Sequence, residues 1–245
     1  MILIDGLPID YTWLPLEACL FVDEVAVFRY YVPSNSVLVP QVYDLLQPDE
    51  QNRARRFRRE DDRLRFCYGR IMLKVLVAKY ANQNPADIQL IAGMNNKPEL
   101  KGISDLHVNI AHAGEWVLLA LGKKSVGVDV EKINPAFPFE EILSQSFSET
   151  EQQNIRVNLH PERRFYQLWT RKEALVKATA KGMDDDFSLV PSLEGRHYID
   201  PVMIGSSTDW YVRSFSVSGD HLAAVAYQQI ADTPNFYTLE NGFFT

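Results

Sequence analysis

Val126-Gly127-Val128-Asp129-Val130-Glu131 is the stretch on which the reading of this chain turns. Apolar and acidic residues alternate through it, and side chains alternate between faces along a strand. Val126, Val128 and Val130 are therefore expected to face a core, and Asp129 and Glu131 to face the other way. Two carboxylates side by side repel unless one is protonated or a cation lies between them. Hard oxygen donors of this kind suit magnesium or manganese. The alternation suits an exposed strand face with two solvated acids equally well, so the stretch alone leaves both readings open.

Further along lies Trp169-Thr170-Arg171-Lys172-Glu173-Ala174-Leu175-Val176-Lys177, inside a helical pattern that Pro161 opens and that stops near Gly182. Glu173 and Lys177 are one turn apart and share a face, which by itself is ordinary helix stabilisation. Trp169, one turn earlier, is placed to wall off that side. Ser148 with Glu151 predicts a capped helix before it, and residues 210–217 and 222–227 read as two strands around Ser218-Gly219-Asp220.

The first half repeats this order. Residues 25–30 read as a strand, Pro48-Asp49-Glu50 opens a helix, and a second helix runs over 62–80. Residues 108–110 and 116–121 read as strands around Ala113-Gly114. Helix, connector and hairpin thus occur twice at an offset of slightly over 100 residues. The expectation is an α+β protein of two similar halves, residues 1–122 and 123–245, each a helix packed on a small antiparallel sheet, with a cleft between them.

Length and composition set the frame. A chain of 245 residues with 46% apolar content buries an ordinary core. The net charge of -7 argues against a nucleic-acid partner, although seven of the 25 lysines and arginines fall between Arg53 and Arg65. That cluster suits a salt-bridged helix face or an anion site. Residues 1–10 show no signal-peptide pattern and no apolar run suggests a membrane span. Cys19 and Cys67 form no disulfide framework or metal spacing. A cytoplasmic protein with no membrane partner is expected.

Two short segments add candidates. In Asn109-Ile110-Ala111-His112-Ala113-Gly114 a histidine sits among small residues that let a ligand approach the backbone. Lys97 stands in Asn95-Asn96-Lys97-Pro98. Each is unremarkable in isolation. A pair of acids, a third acid beside a lysine, a loop histidine and scattered cations would together suit a bound diphosphate.

At this point the sequence resembles a known family. Gly127-Val128-Asp129-Val130-Glu131-Lys132 and the Trp169-to-Lys177 segment resemble the two defining motifs of the 4'-phosphopantetheinyl transferases, in their longer, single-chain Sfp-type branch. Arg55-Arg56-Phe57 with Asp62, Lys97-Pro98, and Asn109-Ile110-Ala111-His112 are supporting matches. The resemblance implies that Asp129, Glu131 and Glu173 hold a magnesium ion, with manganese as the alternative, that grips the diphosphate of coenzyme A. It implies that Glu173 deprotonates the serine of an apo acyl, peptidyl or polyketide carrier protein, and that Lys177 binds the diphosphate. Arg53, Ala111 and His112 are implied at the phosphates, and Asn96, Lys97 and Pro98 at the adenine end; Lys172 belongs to the motif. The resemblance further implies coenzyme A in the cleft, release of 3',5'-ADP, and a monomer. Ala111 stands where the family usually has serine, which motivates an alternative: a non-catalytic module that binds coenzyme A or a carrier.

Overall fold

The computed structural model of the chain describes residues 1–5, 11–22, 25–32, 40–182, 187–228 and 233–240. Its first part runs β1 (Ile2–Asp5), β2 (Trp13–Pro15), β3 (Val25–Tyr31), α1 (Pro40–Tyr43), α2 (Pro48–Ala54), α3 (Glu60–Ala81), β4 (Leu90–Ala92), β5 (Pro98–Leu100), β6 (His107–Ala113) and β7 (Trp116–Gly122). The second part runs β8 (Val126–Lys132), α4 (Glu140–Ser146), α5 (Glu149–Arg156), α6 (Pro161–Thr179), β9 (Gly195–His197), α7 (Pro201–Ile204), β10 (Trp210–Ser218), β11 (His221–Tyr227) and β12 (Asn235–Leu239).

The α+β architecture expected from the repeat is present. Each half is a strand, a long helix and a hairpin whose second strand inserts beside the first: β3, α3, β6 and β7 in one half, β8, α6, β10 and β11 in the other. The pairs β3–β7, β7–β6, β8–β11 and β11–β10 are all antiparallel. The ends of the chain are then exchanged. Strand β1 joins the sheet of the C-terminal half, parallel to β10 with Ile2 opposite Trp210. Strand β12 joins the sheet of the N-terminal half, parallel to β3 with Phe236 opposite Val27. Both sheets are therefore mixed, in the orders β2-β12-β3-β7-β6 and β8-β11-β10-β1-β9. The 122/123 division falls in the turn between β7 and β8, but neither sheet is made from one half alone.

Four layers follow from the alternation of side chains. Phe28, Val117, Leu119 and Leu121 meet Met72, Leu73 and Leu76 of α3. Val27, Leu118 and Ala120 on the opposite face meet Val126, Val128, Val130 and Val225 of the second sheet. The far face of that sheet, through Ile4, Val212, Ala224 and Ala226, meets Ala174, Leu175 and Ala178 of α6. Helices thus cover the outside of two sheets that share an apolar interior. The edge strands of the two sheets, β6 and β8, come together where Asn109 Oδ1 accepts a hydrogen bond from the Val128 backbone N–H at 2.9 Å. That bond satisfies a donor that an edge strand would otherwise leave buried and unpaired.

Candidate active site

The geometry of the site begins with Gly127. A Cβ at this position would lie 2.1 Å from the Ala174 carbonyl oxygen and 2.3 Å from the Ala178 nitrogen, so only glycine lets α6 rest directly on β8. Glu173 and Lys177, each the residue before one of those contacts, are held over the strand. Val126, Val128 and Val130 face the apolar layer between the sheets, as the alternation predicts. Asp129 points the other way, toward the helix.

Lys177 Nζ donates to Asp129 Oδ1 at 2.6 Å. Asp129 Oδ2 is buried with no hydrogen-bond partner. The Trp169 side chain lies by Glu131 and favours its carboxylate, so the tryptophan closes that flank. Burial, and then the neighbouring charge of Asp129, pushes both Glu131 and Glu173 up to about 7. Asp129 is also raised, by burial against the opposing pull of Lys177. For Lys177 burial acts downward, but Asp129, Glu173 and Glu131 outweigh it and the ammonium is held above its ordinary value.

Three carboxyls therefore share one ammonium. Among the described residues no three His, Cys, Asp or Glu side chains are already gathered as a ligand set. The donor chemistry nevertheless fits a hard divalent cation: all three side chains offer oxygen, and one buried oxygen of Asp129 lacks any partner. Carboxyls lifted by burial, and for Glu131 and Glu173 also by the charge of Asp129, are the groups such a cation would return to the ionised form.

A cavity of about 340 Å³ opens beside these acids, lined by Asn96, Lys97, Pro98, Glu173 and Lys177. A neighbouring cavity of about 670 Å³ shares Lys97, Pro98 and Ala180. Both lie where loop 93–97 of the N-terminal half meets the end of α6. His112 is on the solvent side of β6. Its imidazole is held below its usual value by the protein packed around it and by the cations Arg65 and Lys177. Arg65 pairs with Asp62 and donates to the Gly114 carbonyl at 2.6 Å, fixing the hairpin next to His112.

Other expected residues have partners outside this cluster of acids. Lys172 follows α6 round by about 100° from Glu173 and is 0% exposed, ion-paired to Glu151 at 2.9 Å. Its ammonium also donates to the carbonyls of Ser188 and Val190, so it secures the segment after α6. Ala111 is 4% exposed in the apolar layer between the sheets, on the face opposite His112. A serine there would bury its hydroxyl among valines, so the absence of that hydroxyl leaves the mouth of the cleft unchanged. Arg53 lies on α2 with its guanidinium 5.2 Å over the Phe66 ring. Sequence reasoning gave no individual role to Asn109, Ser125 or Arg65. The hydrogen bonds of Asn109 and Arg65 cross between separate elements, 19 and 49 residues apart, and nothing in local spacing signals them.

Comparison with known proteins gives a consistent picture. The model of the 4'-phosphopantetheinyl transferase superfamily matches residues 125–226, and that of the 4'-phosphopantetheinyl transferase N-terminal region matches 31–124. The 4'-phosphopantetheinyl transferase Sfp of Bacillus subtilis is 28% identical over 185 residues, covering 74% of this chain and 81% of the relative. HetI of a Nostoc species, named as a 4'-phosphopantetheinyl transferase, is 26% identical over 242 residues, covering 94% and 99%. Another B. subtilis 4'-phosphopantetheinyl transferase is 31% identical over 147 residues, covering 58% of this chain and 64% of the relative.

Proposed function

The chain belongs to the 4'-phosphopantetheinyl transferase superfamily, and we propose that it transfers the 4'-phosphopantetheine arm of coenzyme A to a serine of an apo acyl, peptidyl or polyketide carrier protein. The observation that carries this reading is the set Asp129, Glu131, Glu173 and Lys177, brought from β8 and α6 to one buried site beside the two cavities. Asp129, Glu131 and Glu173 would hold magnesium, or manganese, which when bound would neutralise charge on the diphosphate.

The chain's own residues do the rest. The carrier serine oxygen forms a bond to the phosphorus that bears the pantetheine arm. The bond from that phosphorus to the bridging oxygen breaks, and 3',5'-ADP leaves with the electron pair. The serine proton passes to the Glu173 carboxylate, directly or through water. With the cation bound Glu173 would be ionised and able to take that proton, its placement beside the serine offsetting the weak basicity of a carboxylate. Lys177, kept charged by the acids around it, sets its ammonium against the phosphates. Positioning and charge neutralisation supply most of a phosphoryl transfer. Arg65 makes the rim cationic, and the neutral His112 imidazole can offer a hydrogen bond to the remaining phosphate of coenzyme A. All these groups come from one chain, which supports a monomer.

The test weighs several apo carriers after incubation with coenzyme A, with and without magnesium. The expected result is a gain of one phosphopantetheine arm that chelation removes. Asp129→Ala and Glu173→Ala should each lower the rate by 10²-fold or more, about the range of a lost general base or charge-stabilising group. Binding of coenzyme A with no release of 3',5'-ADP on any carrier would instead identify a binding module.

A further inference from the structure

Lys97 stands in the N-terminal half, between β4 and β5, yet its ammonium contacts lie beyond β7. Nζ donates to the Ala178 carbonyl at 2.8 Å, the Val126 carbonyl at 3.0 Å and Ser125 Oγ at 3.2 Å. Ser125 Oγ donates to the same Ala178 carbonyl at 2.7 Å. Two residues before Lys97, Asn95 Nδ2 donates to the carbonyls of Ala180 and Lys181. The last carbonyls of a helix have no partner within it, and a cation there is favoured by the helix dipole. The end of α6 is therefore capped by a loop from the other half.

That loop is shaped for the purpose. Asn95 and Asn96 have φ of +49° and +61°, in the left-handed region that asparagine enters more readily than most residues. The Gly93 N–H donates to the Lys97 carbonyl at 2.8 Å and closes the loop. On the facing segment Gly182 has φ of +83°, and a Cβ there would lie 2.9 Å from Asn95 Nδ2. Each side is formed to admit the other.

We infer that loop 95–97 is a clasp between the halves, in which Lys97 is a positioning residue that holds the last turns of α6, with Glu173 and Lys177, in place against Asp129. An ammonium has three N–H donors, and the three acceptors of Lys97 are all protein atoms. None remains for a phosphate or a base. One of those acceptors belongs to the first residue of β8 and another to the residue after Lys177. A single side chain thus sets the spacing between the strand that carries Asp129 and the helical turn that carries its partner. Burial lowers Lys97 to about 8, in keeping with an ammonium enclosed by carbonyls.

The activity arm of the test rests on the transferase reading; the exchange arm does not. Lys97→Met removes the ammonium, and Asn95→Gly removes the amide while keeping a residue that tolerates positive φ. Amide hydrogen exchange over residues 176–182 should quicken about ten-fold in both, with α3 unchanged. The rate constant for transfer should fall about ten-fold while the dissociation constant for coenzyme A stays within about three-fold. Lys97→Arg keeps the charge but cannot fit the three convergent acceptors, so it should fail to restore the rate. Unchanged exchange in α6 would overturn the clasp. So would a selective loss of coenzyme A affinity that Lys97→Arg repairs. If the wild-type protein transfers nothing, the transferase reading fails and the exchange result still decides the clasp.

Discussion

Asp129 is the residue on which the electrostatics of the site converge, because it raises both Glu131 and Glu173 and holds Lys177 charged. A consequence for stability follows from the sign of these shifts. Glu131 and Glu173 stand at about 7 in the folded protein, above the unfolded value of 4.5. The native state then binds more protons than the unfolded state between those values, so stability falls as pH rises. The stabilising contribution is complete below pH 4.5 and is lost as pH passes 7. In the presence of chelator the melting temperature should therefore drop between pH 5 and 8, about the span of these titrations. Magnesium should restore more of it at pH 8 than at pH 5, since a cation binds the ionised acids. A melting temperature that climbs over this range without metal, in a variant with His107 and His112 replaced by glutamine to remove their opposing titration, would show that these carboxyls are already ionised. At Ala111 the chemistry is simpler. Ala111→Ser places a hydroxyl in an apolar layer and should cost about 1–3 kcal/mol in denaturant titrations without tightening coenzyme A binding.

At the level of elements, the two halves use one plan for different ends. In the first half Phe28 and Tyr30 of β3 share an apolar cluster with Met72 and Leu76 of α3, whereas in the second Asp129 and Glu131 of β8 meet Glu173 and Lys177 of α6. The first four are all apolar or aromatic and buried. Helix on sheet is a plain core in the first half, and helix on strand β8 is a polar site in the second. Gly127 is where that contact is closest. Gly127→Ala should force α6 away from β8, costing about 3 kcal/mol by overpacking and separating Lys177 from Asp129, with transfer lost even where the variant folds. Lys172→Met leaves Glu151 buried without its cation, and should destabilise by about 3–5 kcal/mol. Its readout is the denaturation midpoint, with the affinity for coenzyme A little changed.

On the scale of the whole molecule the exchanged terminal strands make the halves interdependent. Residues 1–122 alone lack β12, which lies between β2 and β3, so β2 would have nothing to pair with. Residues 123–245 lack β1, which lies between β10 and β9. Each fragment also exposes the valine-rich layer that the sheets share. Neither should give a dispersed amide spectrum alone, and mixing or co-expression should recover it; an independently folded half would contradict this.

Local order was legible because it is written in local chemistry. Pro48, Pro161 and the Ser148–Glu151 box open the helices where expected, and the valine alternation of β8 assigned its faces before any contact was known. The shared face of Glu173 and Lys177 follows from helix geometry alone. What spacing could not supply were relations across the chain. Strands β1 and β12 are short and their partners lie some 200 residues away, so no period marks them. Lys172 and Glu173 are neighbours in the same motif, yet one enters the core and the other the site, a difference set by what packs against each side of α6. Lys97, a lone lysine before a proline, acquires its role from three acceptors that only the folded chain brings to it. Periodicity and capping act over a few residues and are therefore determined by the sequence itself. Burial, pKa and the choice of partner depend on which distant atoms fill the surrounding space, and that was decided by the tertiary structure.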